Sequence, residues 1–329
     1  MKSWILGAAA ALALAGGAQA AGYHVIDRIA GPDGGWDYLR VDARHNQLLI
    51  PRGTAVMAID LATRQLKTGL APGGRQHIAL PLEGGREMLV TNGATDTAVF
   101  ADPVSGAVIA TVPTAKGPDA AAVEPKSGLI LVMGHAGGEV TLIDPKTHKL
   151  AGTIEVGGAL EAAVTDGAGK AYVNVEDKNE IVALDLTKKS VLGHWPLAGC
   201  DGPTGLAYDA ADKLLMAACD GSTVFVDARS GKVVQTLATG KGADGIAFDP
   251  RQKLAFVPSG REGTLAVIAV SPGKSTVVQT VPTQVSARTI AIDERSGRVY
   301  LPSAEYGPAT PGARPSLLPG TFRLIVVGK

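Results

Sequence analysis

Short apolar runs that end on an acidic side chain recur along this chain at a spacing of roughly 40 residues, the length of a four-stranded repeat. The segments 38–42, 120–124, 162–166, 205–209, 245–249 and 289–293 close on Asp42, Glu124, Asp166, Asp209, Asp249 and Asp293. A weaker copy at 78–82 fills the one gap in the series. A second apolar run in these units ends at Asp60, Asp102, Asp144, Asp185 or Asp227 and leads into a turn such as 145–147 or 228–231. Between the two anchors lies a further strand, Lys170–Val175 being the clearest, and a last strand such as 232–237 follows the second anchor. Polar and glycine-bearing turns separate these runs, and no 3.6-residue periodicity appears. The pattern predicts an all-β fold, a seven-bladed β-propeller of four-stranded blades. The anchoring carboxylates are read as turn formers, because an Asp side chain bonds its own backbone two residues on.

Both ends of the chain fit a closed ring. The seventh unit, 285–329, supplies strands at 289–293, 298–303 and 322–328 and lacks a fourth. The segment 23–30 resembles the outer strand at 149–156, so the last blade is predicted to be closed by the N-terminal strand. Such closure removes the unpaired edges that a linear array would expose. The inner strands also alternate in size. Ala120, Ala122, Gly205, Ala207, Gly245, Ala247 and Ala291 are small, whereas Leu39, Leu206, Tyr208, Ile246, Phe248, Ile290 and Ile292 are mostly bulky. Successive strand side chains face opposite ways, so each blade is predicted to set a flat face against the bulkier face of its neighbour.

Composition then narrows the setting. Lys2, an apolar stretch over 4–15 and the small-x-small sequence Ala18-Gln19-Ala20 read as an export signal. Residues 1–20 are therefore expected to be removed, leaving 21–329 as a single seven-bladed propeller in the periplasm or outside the cell. The apolar stretch is short for a bilayer span, and later apolar runs are broken by Gly, Asp or Lys, so no membrane insertion is expected. Lys+Arg and Asp+Glu both total 31, and aromatics make up only 4%. That neutrality and scarcity disfavour nucleic acid as a partner. Cys200 and Cys219 are an even pair without C-x-x-C spacing, which in an oxidising compartment reads as a disulfide. A monomer is expected.

At this point the repeats resemble the YVTN type, with Ala171-Tyr-Val-Asn-Val-Glu-Asp-Lys-Asn179 as the clearest copy. The chain is also similar to the YncE-like periplasmic propellers over nearly its whole mature length. The segments that carry the likeness are Trp195-Pro-Leu-Ala-Gly-Cys200, Gly202-Pro-Thr-Gly-Leu-Ala207, Ala287-Arg-Thr-Ile-Ala291 and Leu318-Pro-Gly-Thr-Phe322. The resemblance implies the propeller fold and export. It implies little about activity, because a fold hosts many functions.

Candidate chemistry follows from aligning the repeats. The chain has no H-E-x-x-H, no G-x-S-x-G and no Rossmann glycine pattern. Gly273-Lys274-Ser275 has Ile268 where a phosphate loop needs glycine, and is read as the outer turn of blade six. The residue leading into each inner strand is polar in all repeats: Asp37, His77, Asp119, Glu161, Thr204, Asp244 and Arg288. These seven are predicted to ring one mouth of the central channel and to bind a small molecule or a protein partner there. Arg288 either neutralises Asp244 and Asp37 or serves the ligand. His77, Asp119 and Glu161 either face a solvated mouth or hold a divalent cation, with zinc, calcium and magnesium all open. The second functional class is a metal-dependent hydrolase of the lactonase type using the same ring, with Glu161 or Asp119 moving protons.

Secondary candidates share that face. The long loop 304–320, with Glu305, Tyr306, Arg314 and four prolines, is either a lid or an edge-packed loop. His135 and Arg52 would extend the pocket, and Trp36 would stack on a ligand or pack the first inter-blade loop. Cys200 and Cys219 should meet beside Asp201 and Thr204 through the register of their strands. The charged run Glu176, Asp177, Lys178 and Glu180 is read as a solvated loop, and His24, His45, His148 and His194 as surface residues.

Overall fold

A computed structural model describes residues 22–308 and 316–329. The expected export signal at 1–20 lies outside the described residues. Seven four-stranded antiparallel sheets follow one another along the chain, and in six of them the strand order is the order of the sequence. Blade four is representative: Leu160–Thr165, Lys170–Val175, Glu180–Asp185 and Ser190–Pro196 pair in turn. The seventh sheet joins Ala291–Asp293, Arg298–Ser303 and Arg323–Gly328 to the N-terminal His24–Ala30, as the missing fourth strand requires. The inner strand of this blade is shorter than the five residues expected. One 3-10 turn, Glu176–Lys178, is the helical element among the described residues. No helix in them is long and apolar enough to cross a membrane.

The turns form as the anchors dictate. Asp60 Oδ1 accepts the backbone N–H groups of Ala62 and Thr63 at 2.9 and 2.6 Å. Asp102, Asp185 and Asp227 accept the equivalent pairs. Asp249 does the same for Arg251 and Gln252 at the end of an inner strand. Hydrogen bonding to the ionised form holds the carboxyls of Asp60 and Asp102 below the usual range. These carboxylates build turns, and none of them lines the central cavity described below.

Packing between blades follows the alternation of the inner strands. Ala207 of blade five lies in one apolar cluster with Ile246 and Phe248 of blade six. Ala247 of blade six meets Ile290 and Ile292, and Ala291 of blade seven meets Leu39 and Val41. At Gly205 the inner strands approach so closely that a Cβ would sit 2.6 Å from the Gly245 backbone. Buried phenylalanines at 100, 225, 256 and 322 fill the wider space between blades. Each contributes about 1.5–3 kcal/mol through burial. The result is a ring whose inner strands are held at fixed positions around one axis.

Candidate functional site

The backbone at the channel mouth is locked before any side chain is considered. Neighbouring inner strands touch there: Asp244 N–H donates to Arg288 O at 3.2 Å, Ala162 N–H to Thr204 O at 3.3 Å, and Tyr38 bridges Ile78 in parallel. Three hydroxyls add cross-blade bonds. Thr91 Oγ1 donates to Asp119 O at 2.8 Å, Thr289 Oγ1 to Asp37 O at 3.4 Å and Thr204 Oγ1 to Ala243 O at 3.2 Å. Such bonds fix the Cα positions from which the ring side chains project.

Asp37, His77, Asp119, Glu161, Asp244 and Arg288 line one cavity of about 790 Å³. Thr204 does not face it. Its hydroxyl is taken by the next blade, and it lines an adjoining space of about 620 Å³ with Glu176, Asp244 and Arg288. Arg75, Asp96, Lys116 and Tyr306 complete the wall of the main cavity at positions that show no repeat signature.

The polar groups pair across the mouth. His77 Nδ1 bonds Asp37 Oδ2 at 2.8 Å and lies 3.5 Å from Asp119 Oδ1. Arg288 Nε donates to Asp244 Oδ2 at 2.8 Å, and its guanidinium sits 5.4 Å above the Trp36 ring. His135 Nδ1 stands 3.0 Å from Glu161 Oε1. Tyr38 reaches from blade one to blade four and donates its hydroxyl to Glu161 Oε2 at 2.6 Å. Tyr38 was not among the expected site residues. The signal was present, because it is an aromatic at a position where blades three, five and six carry Ala or Gly.

Crowding of carboxylates in a buried space shifts their titration. Burial pushes the Asp119 carboxyl well above its ordinary range, and the charges of Glu161 and Asp37 add to the effect. Asp244 is raised to about 7 by burial and by Asp37, with the single Arg288 guanidinium opposing. The adjacent Glu161 carboxylate pushes His135 up to about 9. The Tyr38 phenol is raised far beyond its normal value by burial and by Glu161, so it remains a hydrogen-bond donor.

Donors within reach of one cation fall into two groups among the described residues: Asp37, His77 and Asp119, and Asp119, His135 and Glu161. The expected set of His77, Asp119 and Glu161 is thus divided, with Asp119 common to both groups. Imidazole and carboxylate together are a donor set for a divalent transition metal, zinc included, more than for calcium or magnesium.

The secondary candidates separate clearly. Cys200 and Cys219 form a disulfide with Cα atoms 5.3 Å apart, and Asp220 N–H donates to Asp201 O beside it. Arg52 donates to the carbonyls of Pro32, Gly34 and Gly35 and lies over the Phe322 ring, so it packs the loop between blades and does not line the cavity. Trp36 is buried edge-on against Phe322. Asp177 and Lys178 bond the backbone of Ala159 and Gly157, and Glu180 pairs with His194. The stem of the long loop is a short ladder, Gly307 N–H to Ser316 O and Leu318 N–H to Glu305 O, which brings Tyr306 to the cavity wall. Residues 309–315, with Arg314, lie outside the described residues.

No family model matches the chain, and no curated protein matches it. Solved structures do. A chain of the "Crystal Structure of Mitotic Checkpoint Complex" superposes with a TM-score of 0.75 at 12% identity, over 92% of this chain and 94% of that one. A chain of "Kuenenia stuttgartiensis Hydrazine Synthase" does so with a TM-score of 0.69 at 13% identity, over 83% and 92%. These likenesses show the fold alone.

Proposed function

We propose that this chain is an exported binding protein of the YVTN-repeat, YncE-like kind, which takes a polar small molecule, or a polar group of a partner protein, into the channel mouth. The observation that carries the reading is the convergence of six repeat-equivalent polar residues on one cavity of about 790 Å³. A concave site with a few convergent polar groups and perturbed titration is the usual setting for ligand binding. The quoted sequence segments support the family assignment. The Cys200–Cys219 disulfide agrees with an oxidising compartment, and the leader-like residues 1–20 support export.

A thermal-shift panel of polyols, amino acids and amines tests the binding reading, followed by calorimetry on the compounds that shift the melting point. Substituting His77→Ala or Arg288→Ala should weaken those compounds by about tenfold or more, the scale of one or two lost polar contacts. Glu87→Ala, remote from the cavity, should leave them unchanged. Equal affinity in all variants would defeat the reading. Hydrolysis of a lactone panel, with and without EDTA, separates binding from chemistry: metal-dependent turnover abolished by Glu161→Ala would replace the binding protein with a hydrolase.

A further inference from the structure

One corner of the cavity is built differently from the rest. Asp37 and His77 satisfy each other at 2.8 Å, as do Arg288 and Asp244. Asp119 Oδ1 does not: it is shut off from solvent and has no hydrogen-bond partner, while the equally enclosed His135 Nδ1 has only its ion-pair contact with Glu161 Oε1 at 3.0 Å. Buried polar atoms are almost always paired, so an unpaired carboxylate oxygen next to a histidine–carboxylate pair calls for an occupant. The third member, Glu161, is itself 7% exposed, and its outer oxygen is fixed by the Tyr38 hydroxyl at 2.6 Å while Oε1 turns toward His135.

We propose that Asp119, His135 and Glu161 bind a divalent transition metal, zinc fitting best. The three donor atoms lie within 4.8 Å of one another, and His135 Nδ1 is 3.0 Å from Glu161 Oε1. Tetrahedral zinc with bonds of roughly 2.0–2.2 Å to nitrogen and oxygen needs donors about 3.4 Å apart, so shifts on the order of 1 Å in side-chain position complete the set. One imidazole and two carboxylates neutralise the ion and leave a coordination position open toward the cavity. Calcium and magnesium, which take six or more oxygens or a strict octahedron, find too few donors here.

Two features of the surroundings fit this assignment. Tyr38 acts on Glu161 as an outer-shell donor that orients a ligating carboxylate. Thr91 Oγ1 bonds Asp119 O and holds the backbone of the second ligand. The neighbouring group of Asp37, His77 and Asp119 is the rival donor set, and there His77 Nδ1 and Asp37 Oδ2 bond each other at 2.8 Å.

The test uses the mature chain stripped with EDTA and dialysed, then titrated with zinc chloride, and in parallel with calcium and magnesium chloride, by calorimetry. One zinc per chain is expected, with calcium and magnesium binding at least about 100-fold more weakly. Asp119→Asn and His135→Gln should each weaken zinc by about 100-fold, and Tyr38→Phe by about tenfold, the usual reach of outer-shell groups. His77→Gln and His194→Gln should stay within about threefold, which keeps the neighbouring cavity histidine and a surface histidine from accounting for the signal. Circular dichroism of each variant shows whether the propeller is intact. Cobalt(II) should give a four-coordinate visible spectrum in the wild type that His135→Gln removes. Zinc binding unaffected by Asp119→Asn and His135→Gln in folded proteins would overturn the proposal, as would its loss with His77→Gln or an absence of binding. The proposal and the binding reading fail separately: metal-free protein that still binds a polar compound at Arg288 and His77 retains the latter.

Discussion

The bond between Tyr38 and Glu161 spans the channel and is the contact whose removal tells most about the mouth. Tyr38 belongs to blade one and Glu161 to blade four, 123 residues apart, and their oxygens meet at 2.6 Å. Both side chains are buried, with Tyr38 at 6% and Glu161 at 7% exposure. A hydrogen bond to a charged, buried acceptor contributes about 1.5–3 kcal/mol. Tyr38→Phe keeps the ring and removes only the donor, so a loss of about 2 kcal/mol is expected. In a domain of this size that lowers the melting point by about 3 °C. Because Phe also strands one Glu161 oxygen, a double-mutant cycle with Glu161→Gln is needed to isolate the pair. Guanidinium denaturation of the four proteins at pH 7, with equal slopes as a control, should give a coupling of about 1–2 kcal/mol. A coupling near zero, with all four folded, would mean that the two groups do not meet and that the cross-channel architecture of the site is mistaken.

Other predictions rest on separate features. Asp244 is raised to about 7, so its ionised form is disfavoured in the folded state; stability should fall as pH rises from about 4 to about 7, and Asp244→Asn should flatten that part of the melting-point profile. A variant-minus-wild-type difference that stays constant over this range would reject the shift. Replacing Cys200 and Cys219 together by Ser should cost about 3 kcal/mol, because the disulfide closes a segment with a sequence separation of 19; an unchanged denaturation midpoint would show that the bridge adds no stability. Gly205→Ala should cost about 1–3 kcal/mol, since the new Cβ would meet the Gly245 backbone at 2.6 Å. Gly35→Ala is its control, with nothing within 4 Å, and equal effects of the two would refute the close blade contact.

The repeat spacing, the turn carboxylates and the alternation of small and large residues determined the blade count and the pairing of the chain ends. All are local: Asp60 or Asp249 bonds the backbone within a few residues, and strand side chains alternate whatever lies across the fold. The register of the repeats therefore carried seven mouth positions into one ring. Which of them face the cavity depended on groups supplied by other blades. Thr204 is turned aside by the Ala243 carbonyl of the next blade. His77 is engaged by Asp37 of the blade before, while Glu161 is engaged by His135 and, across the channel, by Tyr38. An odd residue such as Tyr38 stands out against the repeat, but its partner does not, since closing the ring brings together side chains that no periodicity relates. Only the closed ring decides who meets whom.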